Sequence, residues 1–474
     1  MNPELAARAL ELALRRGGDF AELFVENRRS LNVRLEAGRI EAVTAGVDGG
    51  VSLRIVRGHT TLFGYCEGID EPAVLGLAAR LGGTEGISTK ETMRQSAMRP
   101  SAVGWTNSEM CRSKEERGGE SVSVSGISTQ HATMLLDAVD RTARSYSPEI
   151  VQVPANVSVL EQKVCIANSQ GVLVQDRRRR AFLAVTVVAK RGTSIQTGRE
   201  TLAQTGDFDP PDTAAAATAA QEAAGKAVIM LDAGPAPVGR MPVILAGGFG
   251  GVLFHEACGH GLEADFILKG TSAWKGRLGT RVAPAFLTAV DDGSGQGLWG
   301  TDAVDDEGTP MQRTAVIENG VLTSYLTDLL RGEKLGLALT GNGRRESFRH
   351  LPYPRMTNTY FAPGEDTAAS LVADTPRAFY ARSLSGGEVN PATGDFVFGV
   401  SEGYLVENGR VGAPVRGATL VGNGLEVLQG IDAVADDLEV KAGFCGKEGQ
   451  SVPVGTGQPT VRVREMTIGG TDAA

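Results

Sequence analysis

A mixed α+β fold is predicted, with an antiparallel sheet and its helices in the N-terminal half and a β-rich, barrel-like or sandwich domain in the C-terminal half. Three observations predict it. Amphipathic or alanine-rich helical stretches recur before residue 230 with alternating apolar segments between them. Short strands punctuated by glycine dominate after residue 235, and a proline- and glycine-rich connection, Asp232 to Pro237, separates the two textures. A chain of 474 residues exceeds one ordinary core, so the textures are assigned to two domains, 1–230 and 235–474.

Pro3 through Arg16 carries Leu5, Ala9, Leu12 and Ala13 with charges between them and stops at Gly17-Gly18, as an amphipathic helix does. Leu31, Val33 and Leu35, then Ile40 and Val43, then Val51, Leu53 and Ile55 alternate with polar residues. The turns Ala37-Gly38, Asp48-Gly49-Gly50 and Arg57-Gly58 divide them into an antiparallel meander with one apolar face. Residues 84–130, rich in serine, glycine and charge, read as an exposed insertion or mobile loop. A second cycle begins at Ala132: Leu135, Leu136, Val139 and Ala143 suit one helix face, and Val157, Val159, Val164, Ile166, Val172 and Val174 suit strands. Arg177 to Arg180 is the marked basic run, read as the solvated rim of a strand or hairpin. Ala214 through Ala227 is a third helical stretch.

In the C-terminal half, Met241 to Leu245 reads as a short buried strand, Ala246 to Gly251 as a glycine-rich turn, and Val252, Leu253 and Phe254 as a helix start. Ala315 to Leu322 and Gly403 to Val411 each hold an Asn-Gly pair between apolar runs, the mark of a tight hairpin.

Composition narrows the function classes. A net charge of −9 and a pI near 5.3 argue against a nucleic-acid footprint, which needs a basic face. No apolar run approaches the roughly 18 residues of a membrane span. Five scattered cysteines form no disulfide framework, and no secretory signal opens the chain, so a cytoplasmic location is expected.

The chemistry concentrates in His255-Glu256-Ala257-Cys258-Gly259-His260, which holds two of the five histidines. Histidines four apart on a helix share a face and can bind one zinc ion, with an adjacent glutamate as general base. Here the spacing is five, which on an ideal helix turns the two rings roughly 140° apart. A shared ion therefore requires a correction of phase: Gly259 would permit either a π-bulge or a local unwinding, and distorted helix is expected at residues 255 to 260. A catalytic zinc site needs a third protein ligand. Glu263, Asp265, His350 and Cys445 are the candidates, and chemistry alone does not choose among them. Cys445 has Gly443 and Gly446 on either side and Lys447 nearby to favour its thiolate.

Gly250 to Asp265, Gly443 to Gln450 and Val452-Pro453-Val454-Gly455 together resemble the TldD branch of the TldD/PmbA metalloproteases. The resemblance extends to Asn342 to Ser347, Arg355 to Thr359 and Gly386 to Phe396, and covers nearly the whole chain. It implies that His255, His260 and Cys445 bind zinc and that Glu256 is the catalytic glutamate. It also implies a dimer, possible partners including a motif-less TldE/PmbA paralogue, and a peptide or unfolded-protein substrate taken up as an extended strand. Asn342, Arg344, Asn358 and Asn390 could line such a site, with ordinary turn and loop stabilisation as the competing role for each. The expected function is hydrolysis of peptide bonds by a zinc metallopeptidase. The alternative is a catalytically silent, zinc-stabilised peptide-binding or assembly subunit, against which the intact Glu256 argues.

Overall fold

The computed structural model describes residues 1–83 and 123–470. The mixed α+β expectation holds. An all-antiparallel sheet of seven strands fills the first half, its central path running Thr60–Glu67, Arg39–Arg57, Phe20–Glu36, Ala155–Asn168, Leu173–Arg191 and Ile150–Gln152, with Ser194–Thr205 also paired to Leu173–Arg191.

Strand alternation gives this sheet two different faces. Odd-numbered residues of Phe20–Glu36, Leu23 and Val25 then Leu31 and Val33, point into two apolar clusters. The first is closed by helices Pro3–Leu14 and Glu71–Gly82, the second by Thr129–Tyr146 and Thr213–Ile229. Even-numbered residues Glu22, Phe24 and Glu26 are equally buried, but against the segment 304–348 of the second half. Arg54 on the neighbouring strand joins this second face and bonds both Glu22 and Glu307 at 2.7 Å.

This two-sided burial corrects two sequence expectations. Asp48-Gly49-Gly50 is no turn: Arg39–Arg57 runs through it unbroken, with Gly50 paired to Glu26. The glycine is needed for close packing, since a Cβ on Gly50 would lie 2.2 Å from the Phe348 ring. The arginine run is on a strand, as expected, but it is not simply solvated. Arg178 and Arg180 turn inward and are buried, held by Asp302 and Asp306, because the face that would be open in an isolated sheet is covered here.

The three anticipated helices form at Pro3–Leu14, Thr129–Tyr146 and Thr213–Ile229. Helix Glu71–Gly82 was not anticipated, although Asp70 caps it by accepting from Ala73 N and Pro72 sits in its first turn. Of the insertion expected at 84–130, residues 84–122 lie outside the described residues. Residues 123–128 form a small hairpin, and the helix begins at Thr129.

The second half contains a closed five-stranded barrel. Its strands are Gly239–Leu245, Arg377–Val389, Asp395–Glu407, Thr419–Asn423 and Val461–Gly469, and the ring closes where Asp395–Glu407 pairs with Thr419–Asn423. A six-stranded sheet lies beside it, including Ala289–Asp292, Asn358–Phe361, Gln450–Gln458 and Glu439–Lys447. Both expected Asn-Gly hairpins are present, with Asn319, Gly320, Asn408 and Gly409 at positive φ. The barrel and sheet share one apolar core, and the segment carrying the paired histidines runs through it. Among the described residues no helix is long and apolar enough to cross a membrane.

Candidate metal centre

The strand Gly239–Leu245 leaves the barrel into a 3-10 turn, Gly248–Gly251, and one short helical turn, Val252–Phe254. Backbone closeness explains the glycines: a Cβ on Gly251 would lie 2.4 Å from the Gly457 backbone. His255–Gly259 then winds as a π-helix, and His260–Leu262 tightens to 3-10. The N–H of His260 donates to the carbonyl of His255, the i→i+5 bond that the histidine spacing required.

Gly259 has a different role from the one expected of it. Its φ of −56° and ψ of −50° are ordinary helical values, so no special backbone freedom is used. Its missing Cβ makes room for Met356, whose sulfur would lie 2.1 Å away.

The π-turn brings the two imidazoles edge to face, with ring centroids 5.3 Å apart. Cys445, on the strand Glu439–Lys447, reaches the same point from the six-stranded sheet. One ligand atom from each of His255, His260 and Cys445 lies within 4.8 Å of the others, and all three side chains are buried. Cys445 Sγ is 3.4 Å from His260 Nε2. A zinc ion with S and N ligands at ordinary bond lengths and tetrahedral angles separates those atoms by about 3.5 Å. The donor set and its spacing therefore fit zinc.

Each donor is oriented from behind. His255 Nδ1 lies 3.2 Å from Thr359 Oγ1, and His260 Nδ1 lies 3.0 Å from Glu263 Oε2, which leaves each Nε2 for a ligand. Lys447 Nζ in turn holds Glu263 at 2.9 Å and Asp265 at 2.7 Å. The Arg355 guanidinium donates to the Cys445 carbonyl and steadies its strand. Glu256 is half-buried, with its carboxylate 3.7 Å from His260 Nε2.

The electrostatics follow from burial and these partners. Burial pushes the Cys445 thiol up, but His255 and His260 outweigh it and hold the thiol well below its usual range. Lys447 is thus not the group that favours the thiolate, contrary to the sequence reading; its ammonium is spent on two carboxylates. Burial also raises the Glu263 carboxyl, but Lys447 and His260 pull it down to about 2.

Of the four candidates for a third donor, only Cys445 joins the histidines in this cluster. Glu263 and Asp265 lie behind it, and His350 bonds Ser347 elsewhere. The three asparagines named as candidates for lining a substrate site make loop and turn bonds. Asn342 donates to Asp291 and the Arg355 carbonyl, Asn358 donates to the Asp292 carbonyl and accepts from Gly300 N, and Asn390 accepts from Ala392 N. Sequence reasoning missed Thr359, Arg355 and the bracing role of Lys447. The one available signal was the short spacing of Glu263 after His260 and of Lys447 after Cys445.

Comparison with known proteins finds relatives over most of the chain. Three family models match: PmbA/TldA metallopeptidase domain 1 over residues 21–81, the central domain over 123–231 and the C-terminal domain over 238–470. A Metalloprotease TldD homolog of Haemophilus influenzae is 37% identical over 462 residues, 96% of this chain and 93% of that protein. A Zinc metalloprotease TldD homolog of Saccharolobus solfataricus is 36% identical over 237 residues, 49% of this chain and 52% of that protein. Among solved structures, TldE from Thermococcus kodakarensis shares the fold with a TM-score of 0.76 at 19% identity, covering 98% of this chain and 100% of that one. With domain models along the described sequence and relatives matched over more than nine-tenths of both chains, the chain belongs to the PmbA/TldD metallopeptidase family, on its TldD branch.

Proposed function

We propose that this chain is a zinc-dependent peptidase in which His255, His260 and Cys445 hold the ion and Glu256 is the general base. The observation that carries the reading is the convergence of two imidazoles and a thiol on one buried point beside a carboxylate that remains accessible. When bound, zinc supplies Lewis acidity, polarising a carbonyl and lowering the pKa of a water molecule toward neutrality.

The remaining chemistry belongs to the chain. Thr359 and Glu263 fix the ring orientations so that both Nε2 atoms face the same point. The Glu256 carboxylate accepts the proton of the attacking water and returns it to the departing amine, so that one residue serves both halves of the reaction. The substrate class is an unfolded peptide, bound as an extended strand against the enzyme backbone. The chain works as a dimer in this reading, with a second copy or with a paralogue lacking the histidine-glutamate motif. A reducing, cytoplasmic setting suits a thiolate donor and four cysteines that are free among the described residues.

The test pairs metal content with turnover. Native protein is expected to carry near-stoichiometric zinc by mass spectrometry, and Cys445→Ala to lose it. Glu256→Ala is expected to retain zinc while hydrolysis of an unfolded peptide falls by about a hundredfold or more. Retained turnover in Glu256→Ala would remove the proposed base. Zinc without turnover in the native protein, alone and with a motif-less paralogue, would favour a zinc-stabilised binding or assembly subunit instead.

A further inference from the structure

A second cavity, of about 400 Å³, lies where the N-terminal sheet meets the second half of the chain. Phe444 lines it, and Phe444 directly precedes Cys445. Strand alternation sends these two neighbours to opposite sides: Cys445 is buried toward His260, whereas Phe444 faces the cavity. The cavity therefore shares a strand with the metal centre but opens on its other face.

One wall is aromatic. Phe182 and Trp299 have ring centroids 5.4 Å apart, and Phe444 stands edge-on to both, at 5.4 and 5.9 Å. The polar part of the lining is cationic, in a chain of net charge −9. Arg28, Arg178, Arg180, Arg344 and Arg345 line it, against three carboxylates, Asp302, Asp306 and Glu346. Two of the carboxylates are ion-paired within the lining, and the third accepts one backbone N–H. Asp302 takes Arg180 and Arg178, Asp306 takes Arg178 and the Arg345 N–H, and Glu346 accepts from Ser451 N.

Arg344 is left without a carboxylate of its own among the described residues. It is buried, and its guanidinium donates to the Met356 carbonyl. Burial pushes its pKa down to about 10, with Arg180 and Arg355 adding to that effect and Asp302 and Asp306 opposing it. Two other lining residues keep a buried donor without an acceptor, Trp299 at Nε1 and Arg345 at Nε, although the Arg345 guanidinium also pairs with Glu22. The lining atoms left without a partner are both donors, and Arg344 adds a charge with no carboxylate against it. A buried donor without an acceptor costs roughly 1–3 kcal/mol, so the cavity is chemically incomplete in one sense only: it lacks acceptors and negative charge.

We propose that this cavity is a binding site for a carboxylate next to an apolar side chain, the carboxylate taken by Arg344 and Arg28 and the apolar group by the Phe182–Trp299–Phe444 wall. Guanidinium forks pair with carboxylates through two parallel hydrogen bonds, which favours a planar carboxylate over a diffuse anion. The ligand is peptide in origin, either a chain terminus or an acidic side chain beside an aromatic one. This goes beyond the hydrolytic reading and needs no metal.

The experiment uses the full chain stripped of metal, so that binding is read without hydrolysis and its failure leaves the peptidase reading untouched. Titration calorimetry compares N-acetylphenylalanine with its amide, and both with N-acetyl-aspartyl-phenylalaninamide. At least tenfold preference for a carboxylate probe over the neutral amide is expected, and the tighter of the two acids identifies terminus or side chain as the source. Arg344→Gln and Arg28→Gln are each expected to weaken binding about tenfold. Arg28 is half-buried, so its variant preserves the test if the buried Arg344 does not tolerate change. Equal affinity for acid and amide, no binding of either acid, or binding indifferent to Arg28→Gln and to a folded Arg344→Gln would overturn the proposal.

Discussion

Replacing Lys447 by methionine keeps the length of the side chain and removes its charge. Lys447 Nζ sits between Glu263 Oε2, Asp265 Oδ1 and the Pro354 carbonyl at 2.9, 2.7 and 3.1 Å, and both carboxylates are buried. Deleting one partner of such a cluster strands the remaining charges and typically costs about 3–5 kcal/mol. The Glu263 carboxyl gives an independent measure. It lies at about 2 against a reference of 4.5, a difference worth roughly 3 kcal/mol, of which His260 supplies a share. A loss of about 2–4 kcal/mol is therefore expected at pH about 7, read as a lower urea midpoint with an unchanged slope in metal-free protein. The pH dependence carries a second signature. Because the folded-state pKa of Glu263 is depressed, its contribution is complete above its unfolded pKa and disappears as pH falls from about 4.5 through about 2. In Lys447→Met only His260 still opposes burial, so that acid limb becomes shallower. A loss below about 1 kcal/mol, or an unaltered acid limb, would refute the bracing role assigned to Lys447.

Gly259→Ala is expected to destabilise, although alanine is the better helix former by about 1 kcal/mol. Its Cβ meets the buried Met356 sulfur at 2.1 Å, and overpacking of that kind costs about 1–3 kcal/mol. Thermal melts of the single variant and of Gly259→Ala with Met356→Ala check this, the second change relieving part of the strain between them. Arg54→Met should lose about 3–5 kcal/mol in urea unfolding, because Glu22 and Glu307 are left buried without the guanidinium that joins them. A loss no larger than that of an exposed pair would mean that water reaches this interface.

Local order was largely legible in the sequence. Pro3–Leu14 and Thr129–Tyr146 followed from periodicity, Thr213–Ile229 from its alanine content, and the Asn319-Gly320 and Asn408-Gly409 hairpins from turn chemistry. The π-turn was implied by spacing alone, since two histidines five apart face the same point only if one residue is accommodated in the helical repeat. Its glycine was misread because the close approach that excludes a Cβ comes from Met356, nearly a hundred residues away.

What the sequence by itself determined, then, was which residues are candidates for the chemistry and how most segments fold locally: the histidine-glutamate motif, the helices and the strand periods all depend on neighbours within a few positions. Only the tertiary structure decided which of Glu263, Asp265, His350 and Cys445 meets the histidines, and that Arg178 and Arg180 turn inward rather than into solvent. Lys447 illustrates the reason. Strand alternation sets it on the same face as Cys445 two residues away, yet two buried carboxylates from another segment hold its charge, and such pairings are made across space by burial, where an unpaired charge is most costly.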